Sequence, residues 1–391
     1  MVQTDWIIIL LYFVLVGLYG YWIYQRKKKS EASSADFFLA EGSLTWWAIG
    51  ASLIASNISA EQMTGMSGSG FQLGLAISSY EWMAALTLII VAVFFMPVYL
   101  KNRIFTMPQF LNQRYNARVA MIMAVFWLLL YIVVNLLSIL YLGAVAISGI
   151  TGWGFMLCVF LLAIFAVFIA LGGMKVVGYT SAIQVFFLVM SGFIGLYISL
   201  NMIGGHSGIA KGFSVLRSEA SDHFHMIFNR NNPHYMDLPG ISVLIGGMWI
   251  ANLNYWGCNQ YITQRALGAS LPTARKGILF AAFLKMLMPM IIVVPGIAIY
   301  YLYHHNLIDT SVINITKDGQ LVADSNKAYP SLLRLLPVGV KGVTVAAFAA
   351  TVVGSLAAKV NSISTIFTLD IYRKVFNTTA SEKRLVGVGK I

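Results

Sequence analysis

The sequence predicts an all-α polytopic membrane protein, and three observations carry that prediction. Apolar residues make up 59% of the 391 positions and charged residues only 10%, with a mean hydropathy of +0.77. The apolar residues gather in nine runs, each close to the roughly 20 residues that a helix needs to cross a bilayer. Lys and Arg fall in alternate loops, which encodes orientation rather than a phosphate-binding face. The net charge of +12 therefore does not point to nucleic acid.

The nine runs cover residues 6–24, 45–66, 75–100, 120–147, 153–172, 179–203, 240–262, 277–303 and 342–372. Asp5 precedes the first, Arg26 to Lys29 follow it, and no small-residue cleavage site appears, so it reads as a retained helix and not a signal peptide. Basic residues then recur after every second run. They are Lys101, Arg103, Arg114 and Arg118, then Lys175, then Arg265, Arg275 and Lys276, and finally Arg373, Lys374, Lys383, Arg384 and Lys390. The short loops 67–74 and 148–152 on the other side carry none. By the positive-inside rule the N-terminus is outside and residue 391 inside, in a multi-pass protein of the plasma (cell inner) membrane.

The long loops 204–239 and 304–341 fall outside and hold all six histidines. Asp222-His223-Phe224-His225 can be drawn as a metal site, but adjacent polar loop residues account for it, since no metal-ligand spacing recurs. Asn314-Ile315-Thr316 matches a glycosylation acceptor. Cys158 and Cys258 both lie in apolar runs, so no disulfide framework is expected. No nucleophile–base set or phosphate-binding loop stands out, so the chain does not read as an enzyme.

The second run is unusual. Ala55 to Gln62 place an Asn, two Ser, a Glu and a Gln inside a membrane-hydrophobic stretch, and the glycine-rich Gly65 to Gly70 follows. Lipid offers no hydrogen bonds, so these groups need water, a ligand, an ion or a polar seam between helices. The seventh run repeats the oddity in Asn252-Leu253-Asn254-Tyr255-Trp256-Gly257-Cys258-Asn259-Gln260. A buried charge opens or lines the next run each time, Glu81 in the first case and Lys285 in the second. At ~1.5 Å per helical residue, Glu81 lies about 10 Å below the outer surface and Lys285 about 12 Å above the inner one. Paired interrupted helices at corresponding positions of two halves point to a transporter's midplane site. Tyr255 and Trp256 fit either its aromatic wall or an interfacial belt.

At these residues the chain resembles the sodium:solute symporter family, and most closely its sodium/glucose and sodium/galactose branch. The resemblance rests on Asp36 to Ala40, Trp46 to Leu53, Asn57 to Gln62, Gly65 to Gly70, Tyr80-Glu81-Trp82, Pro330, Asn361-Ser362 and Thr368 to Tyr372. It implies a LeuT-type inverted-repeat fold, two five-helix repeats around a midplane site. The expected division is residues 1–44 as an extra N-terminal transmembrane helix and cytoplasmic linker, and 45–203 as the first repeat. Residues 204–239 are then an extracellular loop and 240–391 a partial second repeat, truncated after its third helix.

The resemblance implies sodium-coupled symport of a galactose- or glucose-like sugar by alternating access. Other solutes of the family (sialic acid, myo-inositol, a monocarboxylate) and a solute-binding channel or sensor are the alternatives. It places substrate on Asn57, Gln62, Glu81, Asn135, Asn252 and Lys285. The implied gates are Met66 and Tyr80 on the outer side and Tyr255 and Trp256 on the inner side. Sodium is implied at Ala55, Ile58, Thr351, Gly354 and Ser355. Partners are then the solute, sodium and the lipid bilayer. Three positions depart from the family: Gly354 where a serine hydroxyl is common, Ser181 where an aspartate is common, and Ala84 where a serine touches sugar. A serine restored at 354 is accordingly expected to strengthen sodium binding. Lys359, four residues after Ser355, either snorkels to the cytoplasm or supplies a built-in positive charge.

Overall fold

The structure, a computed structural model, describes residues 1–27, 34–40, 44–58, 61–238, 240–317 and 320–390. Lys28 and Lys29 of the first basic cluster, and Ser59 and Ala60 of the polar stretch, lie outside the described residues. The helices that build the membrane-crossing body are numbered here as follows. They are α1 (Gln3–Lys27), α2 (Trp46–Asn57), α3 (Met66–Leu73), α4 (Ser79–Ile90), α5 (Ala117–Leu129), α6 (Leu137–Thr151) and α7 (Phe155–Leu171). The remainder are α8 (Gly173–Ile203), α9 (Gly247–Leu253), α10 (Gln260–Leu267), α11 (Leu271–Met288), α12 (Val294–His304) and α13 (Val340–Ile366).

Among the described residues, six helical runs are long and apolar enough to cross a membrane, and Phe155–Leu171 is a shorter apolar helix. One of the six, Gln62–Lys101, contains a turn: Gly74 has φ +71, so the chain reverses between α3 and α4. A Cβ there would lie 2.2 Å from the His223 carbonyl oxygen, which also demands glycine. The two runs with polar interruptions are the ones that break. α2 ends at Asn57, with Ile58 outside helical geometry at φ −74 and ψ 88. α9 passes through a wide turn at Asn254–Cys258, and Asn259 is extended at φ −91 and ψ 124 before α10 begins. Wide π-type turns also join α5 to α6 at Leu130–Leu136 and α11 to α12 at Pro289–Val293. At the latter, Pro289 has no N–H to donate to the helical ladder.

α13 is the buried axis of the molecule. Ala346, Ala347, Ala350, Ala357 and Ala358 are all buried along it, and their small side chains let neighbouring backbones approach. α8, α1 and α7 pack on it, α8 also packs on α2, and α2 and α4 both pack on α11. α3 packs instead on α12. The start of α1 is tied to the start of α13, because Asp5 Oδ1 accepts from the N–H groups of Gly339 (2.8 Å) and Gly342 (3.2 Å). A carboxylate at a helix N-terminus satisfies free donors and faces the positive end of the dipole.

Outside the helical body, β1 (Asn314–Lys317) and β2 (Gln320–Ala323) form an antiparallel hairpin, with Asn314 opposite Ala323. The Asn314 side chain is engaged there, its Oδ1 accepting from the Tyr303 hydroxyl at 2.6 Å. His223 sits against the Tyr300 ring with its Nε2 3.0 Å from the Phe71 carbonyl.

Candidate functional site

Ending α2 at Asn57 leaves the carbonyls of its last turn without the partners a continuing helix would supply. The same break turns the Asn57 side chain toward α11, while Glu81 opens α4 in its first turn, where the helix dipole favours a carboxylate. Lys285 reaches across from α11. Its Nζ donates to Glu81 Oε2 at 2.6 Å and also to Asn57 Oδ1, with the lysine side chain 1% exposed and the glutamate 5%. Gln62 Nε2 donates to the other Glu81 oxygen at 2.5 Å, and Asn57 Nδ2 donates to the Tyr255 hydroxyl at 3.1 Å. The Trp256 ring lies 5.3 Å from the ammonium, within reach of a cation–π contact.

These groups line a cavity of about 230 Å³, together with Met66, Tyr80, Ala84, Ala251 and Asn252. That is below the roughly 300–1,000 Å³ of pockets for drug-sized ligands and suits a small solute. Five of the six expected substrate residues (Asn57, Gln62, Glu81, Asn252 and Lys285) and all four expected gate residues are thus brought together. Asn135 is not among the lining residues; it lies half-buried in the wide turn Leu130–Leu136. The amide of Asn252 is spent within its own helix, donating to Met248 O at 3.0 Å.

A second polar group forms where α2, α8 and α13 meet. The Ser355 hydroxyl on α13 donates to the Ala55 carbonyl at 2.9 Å, with the Ile58 carbonyl at 3.5 Å. Thr351 is buried one turn earlier, its hydroxyl donating to Ala347 O at 2.7 Å. Gly354 faces α8, where a Cβ would meet Gln184 Oε1 at 2.5 Å. The Gln184 side-chain oxygen and the Ser181 hydroxyl are both buried with no hydrogen-bond partner among the described residues. Lys359 is 3% exposed and lies over the Tyr261 ring, Nζ 4.4 Å from its centroid, so it does not snorkel to a surface.

Below the cavity, Tyr131 and Gln264, which the sequence did not mark, join Asn259 and Gln260 in stitching the chain around the second break. The fully buried Tyr131 donates its hydroxyl to Asn259 Oδ1 and accepts from Gln260 N at 3.1 Å. Gln260 accepts from Met107 N at 2.8 Å, and Gln264 donates to Phe38 O at 2.6 Å and to the Thr365 hydroxyl at 2.8 Å. The signal for Asn259 and Gln260 was in the sequence, since they close the second polar interruption. Arg265, in the last turn of α10, is 1% exposed, with no hydrogen-bond partner for its guanidinium among the described residues. It faces the negative end of the helix dipole there.

Residues 37–391 match the model of the sodium:solute symporter family. The chain belongs to this family. It is 50% identical over 380 residues to a sodium/glucose cotransporter of Vibrio parahaemolyticus, covering 96% of this chain and 70% of that one. It is 34% identical to sodium/glucose cotransporter 4 of Danio rerio and 34% identical to sodium/myo-inositol cotransporter 2 of Oryctolagus cuniculus. These matches cover 99% of this chain and 60% and 59% of the two relatives, so the chain spans about three fifths of their length. A solved structure described as the substrate-bound outward-open state of a Na+-coupled sialic acid symporter superposes with a TM-score of 0.85 at 21% identity. It covers all of this chain and 79% of that one. The fold of this symporter-family chain is therefore the LeuT-type inverted-repeat arrangement, and the two broken helices are its hallmark. Sodium fits the second polar group: carbonyl, hydroxyl and carboxamide oxygens suit a hard cation, and two of those oxygens await a partner.

Proposed function

We propose that this protein is a sodium-coupled symporter that carries a small galactose- or glucose-like sugar by alternating access. The observation that carries the reading is the buried pair Lys285 and Glu81, bonded to the half-buried Asn57 and Gln62 around one small cavity between two broken helices. A carboxylate, an ammonium and two amides offer both donors and acceptors, which matches hydroxyls that each donate and accept. Arriving solute exchanges these mutual bonds for bonds to itself, so binding and rearrangement of the helix break are coupled. Tyr255, held by Asn57, supplies an aromatic face beneath the solute, and Met66 and Tyr80 stand on the outer side.

The co-transported sodium belongs to the set around Ala55, Ile58, Thr351, Gly354 and Ser355, of which Ala55 and Ile58 flank Asn57 at the end of α2. Descent of a monovalent cation releases about 2.3 kcal/mol per 100 mV, enough to concentrate solute. Residues 1–44 form an added N-terminal helix and linker, 45–203 the first repeat, 204–239 an outer loop, and the chain from 240 belongs to the second repeat. The N-terminus faces outside and residue 391 inside, as the basic loops require.

The test is uptake of labelled sugars by proteoliposomes holding the purified protein under an imposed sodium gradient. Sodium-driven accumulation of galactose or glucose supports the reading. Accumulation of myo-inositol or sialic acid alone changes the substrate but keeps the mechanism. A solute-independent ion current with no accumulation overturns it in favour of a channel.

A further inference from the structure

We infer that Gln184 is a sodium ligand, supplying from α8 the side-chain oxygen that residue 354 of α13 lacks. This deepens the proposed sodium coupling and rests on it. Gln184 is 1% exposed and its Oε1 has no hydrogen-bond partner among the described residues. An amide oxygen buried without a donor is costly, and such groups are normally satisfied. What lies beside it identifies the missing partner. Oε1 is 2.5 Å from where a Cβ on Gly354 would stand, so it fills the space into which a side chain at 354 would project. Ser355, the next residue, holds the carbonyls of Ala55 and Ile58 at the end of α2.

The neighbouring residue of α13 brings further oxygens to this junction: the Ser355 hydroxyl, whose proton is given to Ala55, and the main-chain carbonyls of Ala55 and Ile58. Ser181, one turn earlier on α8, adds a hydroxyl that is also without a partner. A cluster of oxygens short of donors is what a hard cation satisfies. Glycine at 354 and glutamine at 184 then form a matched pair. The small residue makes room, and the long one delivers the oxygen from the facing helix.

This reverses the effect expected of restoring serine at 354. Its Cβ would displace the flexible end of Gln184, exchanging one oxygen for another without adding a ligand. The experiment is a double-mutant cycle on the purified full chain, reading the sodium dependence of thermal melting in detergent, with choline as the control cation. Gln184→Ala should raise the sodium midpoint roughly tenfold or more, the loss expected for a ligand oxygen on a charged partner. Gly354→Ser should leave the midpoint near the parent value, yet recover most of the loss when added to Gln184→Ala. An unchanged midpoint in Gln184→Ala, or the same gain from Gly354→Ser in both backgrounds, overturns the inference. If Gln184→Ala does not fold, Gln184→Glu decides at pH 8. It keeps the oxygen and adds charge, so a lower midpoint supports the assignment and an unchanged or higher one overturns it. A parent protein whose melting ignores sodium would overturn the proposed coupling itself, an outcome distinct from either.

Discussion

The two polar regions of this protein lie on either side of one helix break and are built on opposite principles. In the solute cavity, Lys285, Glu81, Gln62, Asn57 and Tyr255 bond to one another, so donors and acceptors are matched before any ligand arrives. At the junction of α2, α8 and α13, oxygens gather and two of them have no partner among the described residues. A matched network is stable when empty and must be rewired by its ligand. An acceptor-rich cluster is costly when empty and is completed by a cation. Ordered binding is the outcome expected if an ion fills this cluster: it would relieve a cost and firm the broken end of α2, where Asn57 stands.

The largest expected effect breaks the matched network. Lys285→Met leaves the Glu81 carboxylate buried beside apolar carbon, at a cost of about 3 to 5 kcal/mol. Melting temperature should fall sharply, and adding Glu81→Gln should recover much of the loss. A single variant as stable as the parent would mean that the ion pair does not organise the cavity. Ser355→Ala probes the other region. Removing an oxygen at about 1 to 3 kcal/mol should raise the sodium midpoint about 5- to 150-fold while solute affinity at saturating sodium holds. A fall in solute affinity with an unchanged sodium response would erase the distinction between the regions.

A smaller effect is expected at the link between cavity and inner aromatics. Tyr255→Phe removes one hydrogen bond with Asn57, worth about 0.5 to 1.5 kcal/mol, so solute affinity measured by equilibrium binding should fall roughly 2- to 12-fold. The smallest is a control outside both regions. Burial holds the His223 pKa below its ordinary 6.5, with His304 and His234 adding to the drop, while the Phe71 carbonyl and Asp222 oppose it. The unfolded chain then binds the proton more readily, so this contribution to stability is full above about pH 6.5 and is lost as pH falls through the lowered value. Melting should decline gently from pH 7 to 5, and less so in His223→Gln. Sodium and solute midpoints that moved with it would tie the outer loop to the sites.

Much of this was legible because membranes punish polar residues. The stretches Ala55–Gln62 and Asn252–Gln260 marked both breaks, and Glu81 and Lys285 stood out as charges in apolar runs, though their pairing is seen only in the structure. What the sequence hid were relations between helices. Gln184 reads as one glutamine in a long apolar helix, and only its position against Gly354 gives it a role. Tyr131 likewise looks like any membrane tyrosine until its hydroxyl is found closing the turn at Asn259. Lys359 was read from helical spacing as either a snorkelling or a built-in charge, and its place over Tyr261 removes the first option.

The bonds from Asp5 to Gly339 and Gly342 carry a consequence of parity. They hold the start of α1 and the start of α13 at the same face of the molecule. A chain that begins on one side of a membrane and returns to it has crossed an even number of times. Eight apolar runs precede α13, so the count closes only if both broken helices pass through or if neither does. The first is placed to pass through: α2 and α3 pack in succession against α11 and α12, two consecutive lengths of the apolar helical run Leu271–His304. The second is then expected to cross as well, short and interrupted as it is.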